Sequence, residues 1–178
     1  MSWLQENIRQ IYSLQGQQLE TASIIEMAIL ESGANGLPQY THPKCPFIQA
    51  QVIEWILSDG VVGRFYTYQT DYRWGIQLNF FPASTSRLTC DRDPQSIFRM
   101  TDVELPTGRI NQIDLKLDSQ NNVSRIYFTI GDAELLFVAG EVYEEENGIS
   151  ILLEDESILI FPDPSQIANV CFGRGKFI

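Results

Sequence analysis

Histidine occurs once in this chain, at His42, and lysine only three times, at Lys44, Lys116 and Lys176. A lone imidazole leaves His42 as the sole base for any Ser-His-Asp or Cys-His arrangement. With Cys45 it also makes fewer ligands than a zinc site takes, so no metal is expected. The three cysteines, Cys45, Cys90 and Cys171, are odd in number and widely spaced, with no CxxC pair. That excludes a disulfide framework and fits free thiols in a reducing cytoplasm.

Long apolar runs are missing too. None approaches the ~20 residues that a membrane-spanning helix needs, and MSWLQENIRQ carries Glu6 and Asn7 where a signal peptide would be apolar. The expectation is a cytoplasmic protein with no membrane partner. G-x-S-x-G, P-loop and G-x-G-x-x-G motifs are all absent. The C-terminal GRGKFI is basic but lacks the strand and helix that flank a phosphate loop, and it reads as a frayed tail. No cofactor is expected. An enzyme is the less expected class.

What the chain has is acid. Twelve basic residues stand against 23 acidic ones, a net charge of −11 over 178 residues. Phosphate binding needs clustered Lys and Arg, so nucleic acid is excluded as a general partner. A basic protein partner is compatible with this charge, as is plain solubility. The apolar share of 44% is that of an ordinary globular protein and supports one domain over 1–178.

Periodicity divides that domain. SWLQENIRQIYSL spaces Trp3 or Leu4, Ile8, Ile11 and Tyr12 as an amphipathic helix, capped by Ser2 and ended by Gly16. From residue 16 the pattern is mainly β. Residues 18–30 are ambiguous between strand and helix, and 33–46 and 82–96 read as loops. Strands are predicted over 51–57, 61–69, 75–81, 110–117, 123–130, 133–143, 149–153 and 157–161. Turn signals recur between them, among them Asp59-Gly60, 118–122, Gly131-Asp132 and Asn147-Gly148. Short strands at this spacing predict an antiparallel sandwich or barrel rather than βαβ units.

Displacing the chain by 126 − 53 = 73 residues lays 53–78 on 126–151, with Ile53/Ile126, Asp59/Asp132, Gly75/Gly148 and Ile76/Ile149 identical. This suggests an internal duplication. It predicts two related β-meander halves, 16–100 and 101–178, after a helix in 1–15, with concave ground between them where ligands tend to sit.

Three groups of residues could carry function. In RFYTYQTDYRW, Arg64, Tyr66 and Tyr68 alternate onto one face near Trp74, a set able to stack a planar ligand in a pocket between the halves. In GEVYEEENGISILLEDES, an Asn147-Gly148 turn would place Glu141 opposite Glu154, beside Tyr143. Paired carboxylates can split their pKa values and serve as acid and base. These are weak catalytic candidates, because the same acids suit a wet strand end. The rest of that stretch, Glu144, Glu145, Glu146, Asp155 and Glu156, forms an acidic surface for a basic partner. An edge strand pairing with its own copy would give a homodimer. The leading expectation is a non-enzymatic binding or regulatory protein acting through the acidic hairpin. A small-molecule binder and a carboxylate-based enzyme stand behind it.

Overall fold

The structure, a computed structural model, describes residues 2–82, 84–85, 87–90, 92–101 and 103–173. Ser2 starts the chain as a cap. Its hydroxyl accepts from the Gln5 backbone N–H while the Gln5 side chain accepts from the Ser2 N–H, a reciprocal capping box. The helix it opens, α1 (Trp3–Tyr12), points Ile11 into the core.

Among the described residues nine antiparallel strands follow: β1 (Gln18–Met27), β2 (Ile48–Leu57), β3 (Val62–Thr70), β4 (Arg73–Phe81), β5 (Phe98–Met100), β6 (Gly108–Leu117), β7 (Val123–Ile130), β8 (Ala133–Glu145) and β9 (Gly148–Phe161). A short 3-10 turn, Pro164–Asn169, comes last. The ambiguous 18–30 segment is therefore strand through Met27. The two strands predicted over 149–161 are one bent strand, β9. Of the predicted tail, residues 174–178 lie outside the described residues.

Eight of these strands form two four-stranded meanders, β1-β2-β3-β4 and β6-β7-β8-β9, and the ninth, β5, adds to β1. They join because two strands divide an edge between partners. β2 pairs with β9 through Ile48–Ala50 and with β3 through Ile53–Ile56. β1 pairs with β6 at Gln18–Leu19 and with β5 at Ile25–Met27. Since β1 and β2 also pair with each other, the strands β1-β2-β9-β8-β7-β6 close into a ring. Closure removes sheet edges and encloses a core.

The branching β3-β4 hairpin packs across that ring, and the Thr67 hydroxyl donates to the Glu156 carbonyl on β9. Between hairpin and ring lies an aromatic quartet. Trp55 and Phe65 come from the first meander, Phe128 and Phe137 from the second. Centroids are 4.7 Å apart for Trp55–Phe128 and 5.1 Å for Phe128–Phe137. Edge-on and tilted packing suits the ring quadrupoles.

The edge of β4 is covered by α1. Asn7, buried on the helix, donates through Nδ2 to the Ile76 carbonyl and accepts at Oδ1 from the Leu78 N–H, both at 3.0 Å. One side chain thus replaces a stretch of neighbouring strand. A second apolar cluster lies on the other face of β8 and β9. Leu136, Val138, Val142, Ile151, Leu159 and Phe161 are covered there by Ile29, Cys45 and Phe47 and by Val170.

Candidate functional site

The acidic hairpin is formed by the outer halves of β8 and β9, and its register differs from expectation. Glu145 pairs with Gly148, Glu144 with Ile149, Tyr143 with Ser150, Val142 with Ile151 and Glu141 with Leu152. The turn is Glu146-Asn147. A type I′ turn on Asn147-Gly148 would need positive φ at Asn147, but only Gly148 has it, at 142°. Glu141 therefore does not face Glu154. The slip changes each pairing by two residues, so faces are preserved. Val142, Ile149, Ile151 and Leu153 still share the apolar side.

Glu154 is turned elsewhere by a bulge. The register jumps between Ala139/Ile158 and Gly140/Leu153, leaving Glu154–Ser157 unpaired with β8, and Glu154 adopts φ 59°. Its Oε2 takes a 2.6 Å bond from Arg73, whose guanidinium also lies 3.9 Å from the fully buried Asp118 carboxylate. Asp118 in turn accepts from the Asn122 backbone and amide. Glu154 thus belongs to a structural tie between the β9 bulge and the β3-β4 and β6-β7 turns. Gly140 sits at the bend itself. A Cβ there would lie 2.6 Å from the Leu152 carbonyl oxygen, so only glycine lets the strands approach.

The same bulge folds Asp155 and Glu156 toward Glu141. Burial, and next these two charges, push the Glu141 carboxyl up to about 7, against a single 3.3 Å bond donated by the Ser157 hydroxyl. The Tyr143 hydroxyl donates to Asp155 at 3.1 Å. Burial and the neighbouring carboxylates hold its pKa well above the ordinary phenol value. Among the described residues no cation pairs with Glu141, Asp155 or Glu156.

A cleft of about 500 Å³ opens beside them. One wall is the edge of β8 at Glu141–Glu144. The other is the end of β1 with its continuation, Met27, Ala28, Ile29 and Glu31, together with Ile97. The β7 ladder stops at Val138, so among the described residues no strand pairs with this edge of β8 from Gly140 onward. Gln49 spans the gap instead. Its fully buried amide accepts from the Val142 N–H at 2.6 Å and donates to the Ala28 carbonyl at 3.1 Å. At the rim Glu144 accepts from the Glu31 N–H. The arrangement offers apolar walls, a half-buried carboxylate and a phenol, which suit binding of a cation.

The other predicted residues are placed differently. Arg64 donates to the buried Glu54 at 2.8 Å and lies over the Phe81 ring. Tyr66 accepts from Asn79. Tyr68 is buried, its ring edge-on to Trp3 and packed over Gly75, where a Cβ would lie 2.7 Å from it. Trp74 pairs with Gln69, on the opposite side of β3-β4 from these three. His42 accepts from the Lys44 N–H in a local turn, and burial pushes the Cys45 thiol up to about 11. Glu144, Glu145, Glu146 and Glu156 are exposed and Asp155 is half-buried. Among the described residues no group of three or more His, Cys, Asp or Glu is arranged to hold a metal. No helix there is long and apolar enough to cross a membrane.

Met27, Ile29, Glu31, Ile97 and Gln49 were not singled out by the sequence. Gln49 left a shared signal, as one of three polar residues, with Gln51 and Glu54, in the otherwise apolar FIQAQVIEWIL. Compared with protein-family models, curated proteins and solved structures, the chain matches none.

Proposed function

We propose that this is a non-enzymatic binding protein that engages a cationic protein partner through the acidic end of the β8-β9 hairpin. The observation that carries the reading is Glu141. It is half-buried, it has Asp155 and Glu156 against it, and no cation pairs with it among the described residues. Burying a carboxylate beside like charge is costly, and a cation supplied by a partner relieves that cost. Exposed Glu144, Glu145 and Glu146 extend the negative field outward, which speeds association with a positive surface. The acid-base alternative loses its second carboxylate, since Glu154 is engaged with Arg73.

The test is fluorescence anisotropy with a labelled nona-arginine peptide at low and high salt. It compares the parent with two variants of equal charge. One is Glu144→Gln/Glu145→Gln/Glu146→Gln; the other is Glu20→Gln/Glu104→Gln/Glu134→Gln. The hairpin variant is expected to lose about tenfold in affinity at low salt and the control variant less than about twofold. Equal losses would reduce the effect to net charge and refute the reading.

A further inference from the structure

The cleft beside β8 restricts what the partner can present. An added β-strand does not fit, because the Gln49 amide already takes the Val142 N–H and ties it to Ala28, and Glu144 is held on Glu31. A second copy of the chain is disfavoured, because it would bring the Glu144–Glu146 and Asp155–Glu156 charges of two molecules together. Purely apolar ligands would cover the half-buried Glu141 carboxyl without supplying a cation. What remains is a group with an apolar stem and a cationic head. Met27 and Ile97, half-buried in the lining, offer the stem a surface, and Glu141 with the Tyr143 hydroxyl receives the head. Negative charge continues outside the cleft on Glu145 and Glu146, beyond the reach of a small free cation, and this favours a polypeptide.

We propose that the cleft between the edge of β8 and residues 27–31 is an anchor pocket for one basic side chain, arginine or lysine, presented by a polypeptide partner. This rests on the proposed function and names the contact at its centre. The bound head neutralises Glu141 and offsets its repulsion from Asp155 and Glu156. Glu144 and Glu31, at the rim, and the Tyr143 hydroxyl, on Asp155, are the other titratable groups facing it.

The test is amide-resolved NMR titration of the full chain with three blocked peptides, Ser-Gly-X-Gly-Ser, where X is arginine, lysine or citrulline. Amides of residues 27–31, 97 and 141–144 are expected to shift saturably with arginine or lysine and not with citrulline, which keeps the shape and loses the charge. Glu141→Gln, an isosteric change, is expected to weaken binding about fivefold or more, and Glu104→Gln to leave it unchanged. Equal response to citrulline would overturn the proposal. So would cleft shifts that depend on protein concentration without peptide, which would mark a second copy as occupant. If nona-arginine still binds through Glu144–Glu146 while the cleft amides stay still, the anchor pocket is refuted and the proposed function stands. If no cationic peptide binds, both fall.

Discussion

Glu141 lies on the face of β8 that carries Phe137 and Ala139 into the core, and its stability cost follows from that position. Its carboxyl is raised from 4.5 to about 7 in the folded chain, so between those values the folded state binds more protons than the unfolded one. This contribution to stability is complete below the unfolded value and is lost as pH rises through about 7. Glu141→Gln is therefore expected to raise stability at pH 8 by about 1–2 kcal/mol, discounted for partial exposure, and to do nothing near pH 4. Urea melts of parent and variant across that range measure it. Gly140 makes the opposite point. Because an added methyl would meet backbone rather than a yielding side chain, Gly140→Ala is expected to cost about 1–3 kcal/mol by the same melts. Neither effect was legible beforehand. Both depend on a bulge that brings Glu154–Ser157 out of register, and nothing in LLEDES marks where a ladder breaks.

At the level of elements, alternation and turn residues were enough to place β2, β3, β4 and β6 to β9, because burial on one face imposes a period of two, whereas β1 stayed ambiguous and β5 was not foreseen. The register of the hairpin was not, because it depends on which two residues turn. Its faces survived since the slip was even. The α1–β4 contact was invisible in the sequence, where Asn7 looks like an ordinary polar residue on a helix. In the fold it saturates two backbone groups of β4. Asn7→Ala leaves an N–H and a carbonyl unpaired and is expected to lower stability by about 2–3 kcal/mol. It also opens a strand edge, so the variant should aggregate faster on mild heating, measurable by light scattering, whereas a helix-surface control such as Gln10→Ala should not. Arg73 ties elements in the same way. Arg73→Met strips a buried Asp118 of its cation and is expected to destabilise more than Glu154→Gln, which removes only the half-buried partner.

For the whole molecule, closure of the ring brings together segments far apart in the chain. Residues 27–31, 97 and 141–144 form one cleft only because β1, β2 and β9 are neighbours and β7 stops short of the β8 tip. Local pattern cannot show such a site. It did show half of it, since the acidic run around Tyr143 stood out by charge alone. The aromatic run Arg64–Trp74 stood out equally and is placed in packing, with Arg64 on Glu54 and Tyr68 over Gly75. Unusual composition thus pointed once to a cleft and once to a core. The difference lies in whether the fold supplies partners for the charged and polar groups. Glu141 has none of opposite charge among the described residues, and Arg64 has one.

The uncompensated Glu141 carboxylate is proposed to receive a cation. The most direct measurement is the affinity of the blocked arginine peptide for the full chain between pH 6 and pH 8. Protonated Glu141 cannot pair with a cation, so affinity is expected to rise across its titration near 7 and to become flat in Glu141→Gln. An affinity independent of pH in the parent, or a rise that persists in the variant, would rule out Glu141 as the receptor of the cation.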